Sequence, residues 1–252
     1  MKRLASAIIA VVCALPFALV IMLSLAHGWR FPAILPHPFT AELWRSIVTG
    51  RVDLGAVFAR SAALSATVAL LSTAASFITA KFIAYHRRRP LLLTLAYAPY
   101  VMSPVILGVC ILYLYIRAGI DGTFAGVVLA QTIFAFSFGI VFFTAFWNRE
   151  KLELEQLVYT MGGTTRQLYS RVLLPLSRDA LILCFFQTFL ISWFQYGITL
   201  LIGEGKVQTL PLKVFDYIGE ANPGYAALSS CLLVIPPVVM LWINKRLLPR
   251  IL

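Results

Sequence analysis

Residues 123–146 read TFAGVVLAQTIFAFSFGIVFFTAF, and residues 147–178, which follow, read WNREKLELEQLVYTMGGTTRQLYSRVLLPLSR. The first stretch has no charged residue. As a helix it would be about 36 Å long, enough to cross a hydrocarbon core of about 30 Å. The second is charged and amphipathic, so it belongs in water or against a partner. Outward from this junction the chain repeats the contrast: long apolar runs separated by short polar segments.

Six apolar stretches reach spanning length, at residues 4–26, 58–85, 90–116, 123–146, 179–202 and 225–243. The fold class expected is an all-α membrane protein of six transmembrane helices in a single domain over residues 1–252. Composition agrees. The chain is 60% hydrophobic and 12% charged, against about 45–50% and 25% in soluble domains, so a water-facing surface cannot be built. The first stretch reads as an uncleaved span, because its apolar length exceeds the roughly 7–15 residues of a signal-peptide core.

The net charge of +11 would suit nucleic acid, but its distribution does not. With the N-terminus, the 2–3 loop, the 4–5 loop and the C-terminus on one side, fourteen basic residues lie there and seven on the other. That asymmetry is the orientation signal of a membrane protein. It predicts a multi-pass membrane protein with both termini cytoplasmic and no nucleic-acid partner. The outer segments are then residues 27–57, where Pro32, Pro36 and Pro38 forbid a continuous helix, and residues 203–224. Pro99 and Pro104 in the third span, and Pro236 and Pro237 in the sixth, predict kinks or partial unwinding. Ser61, Ser65, Ser72, Ser76 and Thr79 form one small polar stripe on the second span, the pattern of close helix packing.

Several chemistries are absent. No ionisable group lies mid-span, so no proton or ion relay is legible. His27, His37 and His86 sit in or beside loops without metal spacing, and Cys13, Cys110, Cys184 and Cys231 lie in apolar runs. No metal site, cofactor or catalytic residue is expected. No Walker A motif occurs either, so uphill transport would draw its energy from another subunit touching a cytoplasmic loop. Thr188, Ser192, Gln195 and Thr199, spaced four, three and four, form a polar stripe on the fifth span that should face protein or a water-filled path.

The loop 147–178 is the most informative segment. Leu154, Leu157, Val158 and Met161 recur at helical spacing, Gly162-Gly163 breaks the run, and Thr164 with Gln167 reads as a capping box opening a second helix. That helix carries Leu168 and Val172 and ends or kinks at Pro175. Two short helices about a glycine corner make a knob suited to a partner's groove, or equally a hairpin packed on its own protein.

Gln156, Leu157, Val158, Met161, Gly162, Gly163, Thr164, Val172, Leu174 and Pro175 give the loop a family resemblance. The segment resembles the EAA loop of binding-protein-dependent ABC importer permeases: Glu-Ala-Ala, three residues, Gly, nine residues, Ile or Val, any residue, Leu-Pro. Gly162, Val172, Leu174 and Pro175 match at the right offsets. Gln156-Leu157-Val158 stands in place of Glu-Ala-Ala, with Glu155 one residue early. The resemblance implies a MetI-like six-helix bundle with a coupling loop between helices four and five. It also implies two ATP-binding-cassette ATPase subunits on those loops, a second identical or homologous permease, and an external solute-binding protein. In this family the fifth span lines the path. Met102-Ser103-Pro104, residues 209–215 (TLPLKVF) and Ala227-Leu228-Ser229 are similar to the polyamine-type branch; ferric iron, thiamine and oxyanion permeases share parts of that pattern. The alternative is an ATP-independent transporter or a membrane scaffold without a path.

Overall fold

The structure, a computed structural model, describes residues 2–26, 39–50 and 52–247. Pro32, Pro36, Pro38, His27 and His37 fall outside the described residues. Those described are helical, with a lone antiparallel bridge between Ala26 and Phe39 as the one β contact. The helices are α1 (Lys2–Ser24), α2 (Glu42–Val48), α3 (Leu54–Tyr85), α4 (Arg89–Val101), α5 (Pro104–Ala118), α6 (Phe124–Phe146) and α7 (Arg149–Thr160). They continue as α8 (Thr165–Trp193), α9 (Gly197–Gly203), α10 (Leu210–Gly219) and α11 (Pro223–Leu247).

Four of these, α3, α6, α8 and α11, are long and apolar enough to cross a membrane. The pair α4 and α5 makes five if counted as one span. Among the described residues, four or five of the expected six spans are therefore present. The described apolar part of α1, Ala14–Ser24, is shorter than a span. The third span is two helices bent by 98° rather than one kinked helix. Met102 and Ser103 are extended, and Pro104 opens α5, a position where its missing N–H costs nothing. Pro236 and Pro237, expected to kink or partly unwind the sixth span, lie inside α11 without ending it.

The fifth span differs most from its expected bounds. It begins at Thr165, inside what reads as loop, and stops at Trp193; Gly197–Gly203 is a separate short helix. Pro175 does not end the helix that precedes it. Residues Leu168–Leu173 form a π turn, closed by Leu174 N–H donating to the Tyr169 carbonyl. The wider turn accommodates a proline two residues into the helix that follows, where an α turn would crowd the ring against the preceding carbonyls.

The contacts group the chain into two compact units. Residues 1–61 and 208–241 form the first. Its core joins Leu43, Leu54 and Leu228, with Tyr217 stacked on Tyr225 at 5.4 Å. The expected outer loop 203–224 thus carries a helix, α10, whose first N–H, from Leu210, donates to buried Ser61 Oγ at 2.8 Å.

Residues 62–207 with 242–252 form the second unit, centred on α6, which packs against α4, α8 and α9. Thr123 caps α6 by accepting from Gly126 N–H. One core at the start of α6 gathers Leu64, Val68, Val127, Ile198 and Ile202. The other, at its end, gathers Phe77, Ile140, Phe143, Trp147, Leu168 and Leu173. Ser65, Ser72 and Ser76 are buried and Thr79 half-buried. A Cβ on Gly139 of α6 would collide with the Ser76 hydroxyl, so the serine stripe is a packing face between α3 and α6.

Candidate functional site

The segment after α6 is pinned before it turns. Trp147, 3% exposed, donates its indole N–H to the Phe77 carbonyl at 3.2 Å, and Tyr85 donates its hydroxyl to the Asn148 carbonyl at 3.2 Å. Asn148 then caps α7 by accepting from Lys151 N–H. The direction in which α7 leaves the bundle is set by these contacts.

At its far end α7 closes in a Schellman arrangement. Gly163 N–H donates to the Val158 carbonyl at 2.9 Å and Gly162 N–H to the Tyr159 carbonyl at 3.0 Å. Gly162 has φ +78°, the left-handed region that a Cβ resists, with open space around it. Gly163 has a different constraint: a Cβ there would lie 2.6 Å from Val158 Cγ1 and 2.8 Å from the Val158 carbonyl oxygen. The capping box is formed in full. Thr164 N–H donates to Gln167 Oε1 at 2.9 Å, and Gln167 N–H to Thr164 Oγ1 at 3.3 Å.

The apolar stripe of α7 splits. Leu154 and Val158 turn inward, whereas Leu157 is 57% exposed and Met161 80%. Gln156, Tyr159 and Thr164 are exposed with them, as are Leu174 and Pro175 on α8; Val172 is half-buried. The hairpin has two unlike faces. One face packs on the chain's own core, and the other stands open with large apolar side chains.

Glu155, which the motif leaves one residue out of place, is the buried residue of α7. Its Oε2 lies 2.8 Å from Lys81 Nζ of α3. Lys81 also donates to the Tyr169 hydroxyl at 3.2 Å, from α8, and its ammonium stands 4.7 Å from the Tyr169 ring and 5.6 Å from that of Trp147. The sequence gives no signal for this pair, whose members are 74 positions apart.

The polar stripe expected along the fifth span is not brought together on one open face. Thr188 is buried and shares a hydrogen bond with Thr73 at 3.2 Å. Ser192 is buried, donating to Gln131 Oε1 at 2.5 Å with Ser65 Oγ at 3.3 Å. Gln131 Nε2 in turn donates to Thr199 Oγ1 at 2.8 Å. Gln195, half-buried, lies in the break between α8 and α9. Gln131 was missed in the sequence. Its signal is that it is the one amide in a span without a charged residue, where a polar group needs a partner. Among the described residues no cluster of His, Cys, Asp and Glu could hold a metal ion.

This arrangement defines a class: a multi-pass helical membrane protein with a glycine-cornered hairpin between its fourth and fifth apolar stretches. No family model matches the chain. It is similar to the molybdenum transport system permease protein ModB of Mycobacterium tuberculosis, 27% identical over 173 residues, or 63% of this chain and 64% of that relative. It is similar also to ModB of Haemophilus influenzae, 25% identical over 211 residues, 73% of this chain and 92% of that one. The trehalose transport system permease protein SugB of Mycobacterium tuberculosis is 25% identical over 133 residues, 51% of this chain and 48% of the relative. The chain thus spans 64% of the length of the mycobacterial ModB. These relatives bear out the resemblance drawn from the loop, to the inner-membrane permease components of ABC importers.

Proposed function

We propose that this chain is the membrane-spanning, non-catalytic permease component of an ABC importer. It pairs with a second permease, identical or homologous, and receives cargo from an external binding protein. The hairpin Arg149–Thr160 and Thr165–Trp193 is the seat of the ATPase subunit, with both termini and this hairpin in the cytoplasm. The observation that carries the reading is the corner itself. A Schellman turn at Gly162 and a capping box at Thr164 hold Leu157, Tyr159 and Met161 in water, an arrangement costly to keep unless a partner covers it.

Cargo in the oxyanion class fits better than polyamine. Three relatives are named for molybdenum transport, and molybdenum in neutral water is a tetrahedral oxyanion. A polyamine path would offer carboxylates to the cation. Here no acidic residue lies mid-span, and two of the outer acids are neutralised, Glu204 by Lys206 at 3.2 Å and Asp216 by Lys213 at 3.5 Å.

The test is reconstitution in proteoliposomes with the ATPase and binding protein encoded beside this gene. Uptake of labelled molybdate, spermidine and trehalose is measured with and without ATP. ATP-dependent molybdate uptake is expected. Uptake that ignores ATP, or no association with the ATPase, would overturn the importer reading; uptake of spermidine alone would overturn the cargo.

A further inference from the structure

The Lys81–Glu155 pair is more enclosed than the surface pairs of the chain. Its side chains are 17% and 8% exposed, against 27% and 43% for Lys213–Asp216, 66% and 37% for Lys206–Glu204 and 90% and 62% for Arg149–Glu153. A buried pair of this kind is on average no better for stability than apolar residues of the same volume, because desolvation offsets the attraction. Its use is to fix register. Here the register is that of three elements at once: α3 supplies Lys81, α7 supplies Glu155, and the π turn of α8 supplies Tyr169. The Trp147 ring closes the ammonium from a further side. Glu155 Oε1 is buried with no hydrogen-bond partner, so the carboxylate is committed to its one bond with Lys81.

The hairpin joins the bundle through the pinned Trp147–Asn148 segment and along α8, while its tip at residues 161–164 is held by the cap bonds alone, with open space around Gly162. The ammonium of Lys81 adds a side-chain tie that holds α7 and α8 to one point on α3. We propose that Lys81 and Glu155 are positioning residues that carry displacement of the hairpin directly into α3, so that ATPase motion moves α3 and α8 together. This rests on the importer reading above and adds to it an internal strut that the loop motif does not include.

The experiment uses the complete reconstituted complex and reads ATP hydrolysed per cargo imported, beside ATPase co-purification and the amount of assembled complex. Glu155→Gln keeps the volume of the side chain and removes its charge, and Lys81→Met removes the ammonium. Both variants are expected to bind the ATPase, to hydrolyse ATP, and to raise the ATP-to-cargo ratio by about fivefold or more, the lower range of coupling between sites. Lys81→Arg, which keeps the charge, should stay near the wild-type ratio. Should Lys81→Met fail to assemble, Glu155→Gln decides alone. A fall in hydrolysis and uptake in proportion, with the ratio unchanged, would show a folding anchor only and overturn the strut. If the wild-type complex shows no ATP-dependent uptake, the importer reading fails and the strut falls with it; normal wild-type uptake with an unchanged ratio in Glu155→Gln overturns the strut alone.

Discussion

Gly162 and Gly163 are adjacent and not equivalent. The first is required by its backbone, at φ +78° with empty space around it; the second is required by space, since a methyl group there would meet the Val158 carbonyl. The distinction decides which substitutions are informative. Gly162→Val forces a β-branched residue into the left-handed region, at about 1–3 kcal/mol, small against insertion of several spans but large for a four-residue corner. Membrane abundance should stay near normal while ATPase co-purification and uptake fall together. Asparagine visits that region readily, so Gly162→Asn should retain most of both, and equal loss in the two variants would show that conformation is not the cause. Gly163→Val is no control, because it damages the corner by collision; Gly162→Asn serves instead. The glycine break and the capping box were legible because both are local chemistry, written within four residues. The burial of Glu155 was not, since it depends on a lysine 74 positions and two spans back in the chain.

At the scale of elements, the spans that ran uninterrupted were read closely and the broken ones were not. Residues 123–146 became Phe124–Phe146 with Thr123 as cap, as a long apolar run without proline dictates. The four-three-four spacing of the polar stripe holds only on one straight helix, and the break after Trp193 takes Gln195 and Thr199 out of that register. No proline marks the break. It accompanies a close approach of Gly197 to Val105 of α5, where a Cβ would lie 2.5 Å from Val105 Cγ2, and such tertiary contacts are not written locally. The stripe therefore sorts into two roles with different signatures. Gln131→Leu removes the bridge between Ser192 and Thr199 and should lower stability by about 1–2 kcal/mol, as buried polar bonds between membrane helices do. This would be read as a lower thermal midpoint in detergent. Gln195→Leu should leave that midpoint in place and lower uptake; unchanged uptake kinetics would remove Gln195 from the path.

For the whole molecule, the orientation rests on fourteen basic residues against seven, a statistical signal that contacts within the chain do not report. Single cysteines at exposed Thr164 and Glu220, in a background lacking the four native cysteines, should label from opposite sides of the membrane; labelling from the same side would overturn the topology. One dimension then acquires a meaning. The helix α3 has 32 residues and is about 48 Å long, against a hydrocarbon core of about 30 Å. A helix so much longer than the lipid is thick must lean or project. On the proposed topology its cytoplasmic end carries Lys81, and with it the hairpin. Bilayer thickness would thereby become an input to this protein: a thicker membrane would draw more of α3 into lipid and a thinner one would release it, so the host membrane would set the resting tilt from which any stroke starts.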